Sequence, residues 1–219
     1  MRGMRPDGNG PEAVEALLPV SRETRDRLVA LVNLVRRWQK AENLIAPSTL
    51  PDIWSRHVAD SAQLVGFFPT AHRWLDIGSG GGFPGLVLGS FMAAREGGMV
   101  HLVESNARKC AFLRTAAREL AVPVDVHQGR IEDVLKDPPD CAMLTARALA
   151  PLPQLLDLSA PVLARGTPAA FFKGADFVRE IEEATLSWDL DLVKHTNRID
   201  DRGVILEIRR AVRKSPPTG

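Results

Sequence analysis

Apolar positions recur along this chain in two different rhythms. In the first third the spacing is helical: Leu28, Leu31, Val32, Val35 and Trp38 fall three and four apart, giving one helix a buried stripe with Ser21 as its N-cap. A shorter helix over Glu12–Leu18, stopped by Pro19, precedes it. A third, capped by Thr49 with Pro51 in its first turn, runs through Trp54, His57 and Val58 towards Phe67. From Arg73 onward the rhythm changes. Short apolar runs at Trp74–Ile77, Val100–Val103, Val124–His127, Cys141–Leu144 and Ala169–Phe172 read as strands. The helical segments Leu86–Ala94, Asn106–Leu120, Ile131–Leu135, Pro151–Leu163 and Phe177–Leu186 separate or follow them. Strands alternating with helices predict a parallel sheet covered on both faces. The last two runs, Asp191–His195 and Val204–Ile208, have only a polar loop between them, so they predict an antiparallel hairpin at the end of the sheet. The expected organisation is a leader over 1–11, a helical extension over 12–70 and an α/β domain over 71–219. Its sheet should have seven strands, mostly parallel, with an antiparallel last strand.

Composition narrows the partners. Apolar residues are 45% and charged residues 25% of 219, the mix of a folded globular chain. With 28 basic against 27 acidic side chains, a nucleic acid would have to be held by a local basic face and not by bulk attraction. Candidate faces are Arg108, Lys109, Arg114 and Arg118 on one helix, the helix near Arg36, and the tail Arg209, Arg210, Arg213 and Lys214. The stripe Arg22, Arg25, Arg36, Arg37 and Lys40 reads either as solvated surface or as facing phosphate. Two cysteines without zinc spacing suit a reducing cytoplasm. The most apolar stretch, Ala142–Ala164, is interrupted by Arg147, Asp157 and three prolines, and the polar, Gly-rich start lacks a signal-peptide core, so neither a membrane span nor export is expected.

The sharpest chemical signal is the run Leu75-Asp76-Ile77-Gly78-Ser79-Gly80-Gly81-Gly82-Phe83-Pro84-Gly85, where the first strand hands over to a helix. Glycines there let a cofactor approach the backbone. Gly80, Gly82 and Gly85 satisfy GxGxxG, which admits a dinucleotide, but Asp76 at the strand mouth would repel a pyrophosphate and attract the sulfonium of S-adenosylmethionine. Glu104 ends the second sheet strand, where its carboxylate can accept both ribose hydroxyls of an adenosine or serve as a favourable charge at the next helix start. Gly129-Arg130-Ile131-Glu132-Asp133 either frames an adenine or is an ordinary turn. Arg147 and Lys173 end the fourth and fifth strands, and the carboxyl ends of parallel strands face the ligand crevice. No general base in a recognised motif accompanies them, which suits a substrate atom that is already nucleophilic, such as a purine N7. Asp137-Pro138-Pro139-Asp140 reads as a turn, Cys141 as a core residue opening a strand, and His57, His101 and His127 show no partner in sequence.

These residues resemble the glucose-inhibited division protein B (RsmG) family, bacterial methyltransferases acting on guanine N7 of 16S ribosomal RNA in the small subunit. The resemblance rests on Asn43-Leu44, Arg56-His57 with Asp60-Ser61, the run Asp76–Gly85, Arg147-Ala148 and Lys173-Gly174, and spans roughly Asn43 to Gly174. It implies a Rossmann-like class I S-adenosylmethionine-dependent methyltransferase, monomeric and cytoplasmic, with neither DNA nor membrane as partner. Gly78, Phe83, Ile131, Glu132 and Arg147 become the expected cofactor contacts, beside Asp76, Gly80 and Glu104 from the loop argument. Arg147 and Lys173 are the candidates nearest the chemistry. Family members often have Ser where Ala146 stands, and relatives carry Pro where Gly81 stands. A methyltransferase acting on a small molecule or protein, and an RNA-binding module without catalysis, are the alternatives.

Overall fold

The computed structural model describes residues 9–215, so most of the expected leader, residues 1–8, lies outside the described residues. Five parallel strands build the centre: β1 (Arg73–Ile77), β2 (Met99–Glu104), β3 (Val124–Gln128), β4 (Met143–Arg147) and β5 (Ala169–Lys173). The hairpin β6 (Trp188–Thr196) and β7 (Val204–Arg213) completes a sheet of order β3-β2-β1-β4-β5-β7-β6. β7 runs antiparallel to both neighbours, β5 and β6, as the hairpin argument requires. The strand order reverses beside β1, between its partners β2 and β4, and such a switch point opens a crevice at the carboxyl ends.

Helices cover both faces. α1 (Glu12–Glu15), α2 (Arg22–Trp38), α3 (Asp60–Phe67), α4 (Gly85–Met92) and α5 (Ala107–Glu119) share one core with Trp74, Val100 and Leu102 of the sheet. On the other face α6 (Ile131–Val134), α7 (Leu152–Leu163) and α8 (Phe177–Ser187) pack against Leu75, Ile77, Leu144 and Phe171. The N-terminal helices therefore have no core of their own. Leu28, Leu31 and Val35 are buried in the same cluster as Phe112 of α5, and the predicted stripe of α2 is the face that docks. Ser21 caps α2 by accepting from the Thr24 N–H at 3.2 Å.

Several boundaries move. α1 ends three residues short of the expected Leu18. Thr49 does not cap the third helix: it closes a 3-10 turn, Pro47–Thr49, and its hydroxyl donates to Ala46 O at 2.8 Å. The chain instead enters α3 through a wide π-turn, Trp54–Ala59. β4 begins at Met143, so Cys141 lies before the strand, and the strand continues through Thr145 and Arg147. The polar look of that segment is misleading, because Thr145 is fully buried with its hydroxyl donating to Ala170 O at 2.8 Å. β6 and β7 extend beyond their apolar runs because ladder pairing needs only backbone, and it continues to Trp188↔Arg213. Among the described residues no helix is long and apolar enough to cross a membrane.

Candidate active site

Where β1 ends, the glycine loop turns back under steric constraint. Gly78, Gly80 and Gly82 have φ of +69°, +53° and +84°, a region L side chains rarely adopt. A Cβ on Gly78 would sit 2.6 Å from Leu149 Cδ1, and one on Gly81 would sit 2.6 Å from Leu44 O. The second contact shows that the absence of a side chain at Gly81 lets the N-terminal segment lie directly on the loop. Ala146, next to Arg147, is fully buried in the core, so a hydroxyl there would meet core and not the crevice.

Asp76 is placed otherwise than expected. It is 1% exposed, absent from the crevice wall, and its Oδ2 accepts from the Gly85 N–H at 3.2 Å. Oδ1 is buried without a partner. Burial pushes this carboxyl up to about 7, against the pull of Ser79 and the Gly85 N–H. Asp76 thus braces the loop from beneath, because the β1 side chain that carries it points into the packing layer under α4. Glu104, by contrast, reaches the crevice. Its Oε2 accepts from Gly80 N–H at 2.9 Å and its Oε1 from Asn106 N–H at 2.8 Å, so the carboxylate ties loop to strand end and also supports the start of α5.

The crevice has a volume of about 810 Å³, the size of a cofactor site. Gly78, Gly80, Phe83, Glu104, Ile131 and Glu132 all line it, as does Arg147. Ile131 and Glu132 are the first residues of α6. Phe83 is buried against the His57 ring, with centroids 5.1 Å apart.

Arg147 is the hub of the floor. Its Nε donates to Asp60 Oδ2 at 3.0 Å, one terminal nitrogen to His57 Nδ1 at 3.0 Å and the other to Arg56 O at 2.5 Å. With Nδ1 accepting, the His57 Nε2–H faces Thr49 Oγ1 at 2.8 Å. Burial, with Arg147 and Arg56 adding to it, lowers the His57 pKa to about 3, so the ring is neutral at physiological pH. Burial also raises the Asp60 carboxyl above its ordinary range, against the opposing pull of Arg147 and Asn197. Asn197 Nδ2 donates to Asp60 Oδ1 at 2.8 Å, and Gln63 Nε2 donates to the same oxygen at 3.1 Å. The β6–β7 loop, the N-terminal extension and β4 are thereby joined by one buried polar network. His57 therefore does have a partner, invisible in sequence because it is 90 residues away. Asp60 carried two signals, its place in the Arg56-His57, Asp60-Ser61 motif and a carboxylate set among Val58, Ala59 and Ala62; Asn197 carried none.

Lys173 lines the crevice, but its ammonium is spent inside the protein. It donates to Ala150 O at 2.8 Å and pairs with Glu180 Oε2 at 2.6 Å, with 7% of its side chain exposed. The same Glu180 oxygen accepts from the Leu152 N–H at the start of α7. Paired in this way, Lys173 offers no free charge to a ligand in the crevice, although the sequence makes it a candidate nearest the chemistry. Much of the expected basic tail is likewise paired: Arg209 with Glu207, Arg210 with Asp189 and Arg213 with Asp157. Arg56, Lys109 and Arg130 on the crevice wall have no carboxylate within salt-bridge distance among the described residues.

Sheet order, glycine loop and an acidic residue ending β2 define a class I methyltransferase fold. Similar solved structures include the O-methyltransferase TomG of Streptomyces achromogenes in complex with SAM, at a TM-score of 0.58 and 14% identity over 96% of this chain and 99% of that one. A Bacillus cereus O-methyltransferase in complex with SAH superposes at 0.54, with 13% identity over 90% and 94% of the two chains. The family model described as rRNA small subunit methyltransferase G matches residues 24–201. The chain is 52% identical over 205 residues to the ribosomal RNA small subunit methyltransferase G of Brucella canis, covering 93% of this chain and 96% of the relative, and 51% identical over the same length to that of Brucella ovis. The chain belongs to the rRNA small subunit methyltransferase G family.

Proposed function

We propose that this protein transfers the methyl group of S-adenosylmethionine to N7 of a guanine in 16S ribosomal RNA. The crevice fits the cofactor: left-handed glycines open backbone at its wall, and the Glu104 carboxylate keeps lone pairs for ribose hydroxyls. When bound, S-adenosylmethionine supplies an electrophilic methyl group on a sulfonium and leaves as a neutral thioether.

The observation that carries the reading is the state of the buried groups on the crevice floor. His57 cannot take a proton, because its Nδ1 lone pair is held by Arg147, and Asp60 is engaged by Arg147, Asn197 and Gln63. A nucleophile that must lose a proton would find neither of them free, whereas a guanine N7 already offers its lone pair. Methylation moves positive charge from sulfur to the base, so an unopposed deep cation would raise the barrier. Both deep cations are opposed, Arg147 by Asp60 and Lys173 by Glu180. The free cations Arg56, Lys109 and Arg130 sit on the wall, where phosphates of an RNA strand would neutralise them. The reading places a monomer in the cytoplasm with the small ribosomal subunit.

The test is tritiated methyl transfer from S-adenosylmethionine to small subunits from a strain lacking this gene, with cleavage mapping of the modified base. Label at the N7 of one guanine in the 16S RNA is expected. Label confined to protein or small molecules, or none, would overturn the reading.

A further inference from the structure

Away from the crevice, β2 and β3 bring together three side chains that the methyl-transfer reading leaves unused. His101 and Asp125 stand opposite each other in the β2–β3 ladder, and His127 follows Asp125 by two residues, so all three side chains share one face of the sheet. His101 Nδ1 lies 3.0 Å from His127 Nε2, which in turn lies 3.5 Å from Asp125 Oδ2. All three donor atoms fall within 4.8 Å of one another. None of the three residues lines the crevice.

We propose that His101, Asp125 and His127 form a binding site for a zinc-class divalent transition-metal ion. Two imidazoles and one carboxylate are a common donor set for such ions, and metal–ligand bonds of about 2.0–2.1 Å in a tetrahedron separate the donors by about 3.3–3.4 Å. The two measured separations, 3.0 and 3.5 Å, bracket that edge. In the absence of an ion the histidines can share one proton between Nδ1 and Nε2. That arrangement leaves His101 Nε2 buried with no partner, so no protein acceptor commits the ring to one tautomer, and Nδ1 is able to present a bare lone pair. The carboxylate, 62% exposed, and the half-buried His127 leave a path for the ion and for a water as fourth ligand. The ion would fasten β3, the edge strand of the sheet, to β2, and by binding only the folded ladder would stabilise it.

The full-length protein, stripped with chelator, is titrated with Zn²⁺ by calorimetry and with Co²⁺ by visible absorption, and its melting is followed with and without metal. One equivalent bound per chain, tetrahedral cobalt bands and a raised Tm are expected. His127→Ala should abolish all three. Asp125→Asn, at an exposed position that leaves the fold intact, should weaken binding by about tenfold or more, since even outer-shell partners are worth about 10–100-fold. Cys141→Ser, a control against thiol binding, should change nothing. Absence of saturable one-to-one binding in the wild type, or binding undiminished in Asp125→Asn, overturns the proposal.

Discussion

Replacing Asp60 by Asn tests whether the polar network under the crevice is a single energetic unit. The Asp60 side chain is 8% exposed, and its Oδ2 receives Arg147 while Oδ1 receives Asn197 and Gln63. All three partners are donors. An Asn can offer one oxygen to them, but its amide must then point a donor at a donor, and the guanidinium loses its counter-charge. Removing one member of a buried ion pair costs about 3–5 kcal/mol. Arg147 retains acceptors in His57 and Arg56 O, and 19% of its side chain meets solvent, which places the cost at the low end, about 3 kcal/mol. For a chain of this size each kcal/mol moves the midpoint by about 2–4 °C, so Asp60→Asn should melt roughly 6–12 °C below wild type. Urea unfolding should show the same loss with an unchanged m-value. In a double-mutant cycle with Arg147→Met, the second substitution should cost less when Asp60→Asn is already present, with a coupling of about 1–3 kcal/mol. A single-mutant midpoint within about 2 °C of wild type, or strictly additive effects, would refute the network as the element joining the extension to the sheet.

Glu104→Ala should weaken S-adenosylmethionine binding by about 1–3 kcal/mol in calorimetry, and an unchanged titration would leave the carboxylate only its role in bracing the loop and α5. Gly78→Val should lose cofactor affinity and also about 1–2 kcal/mol of stability, because φ is +69° and Leu149 must give way; a stable variant with normal affinity would remove the loop from the site. Arg130→Ala should lower RNA affinity and reduce the salt slope by about one phosphate contact, whereas Lys173→Ala should leave that slope unchanged and lower thermal stability by orphaning Glu180. Asp76 supplies the pH test: its folded pKa, about 7, lies above the unfolded value, so the native state holds this proton longer. Its contribution is fully present below about pH 4, the unfolded carboxyl range, and is lost as pH rises through about 7. Wild type should therefore lose stability relative to Asp76→Asn over that window, and a difference in Tm that stays constant from about pH 4 to about pH 8 would contradict the raised value.

Much of the framework follows from local pattern alone. The period of α2, the alternation of strands with helices after Arg73 and the glycine loop are properties of neighbouring residues, and they place the sheet, the covered faces and the cofactor crevice. Glu104 is legible for the same reason, since it ends an apolar run and a strand end is a known place in an α/β sheet. What local pattern does not carry is who faces whom. Asp76 and Glu104 are both acids at strand ends, yet one is sealed beneath α4 and the other opens into the crevice. Arg147 and Lys173 both look like free cations until Asp60 and Glu180 are brought to them by folding, the first across 87 residues. The same holds for His57, and for His101 with Asp125 and His127, where only strand register makes partners of side chains that look isolated in the chain. Burial raises the stakes of every such meeting, because a charge or imidazole removed from water must find its partner within the fold. Tertiary structure alone therefore decides which polar residues are spent holding the protein together and which remain for its ligands.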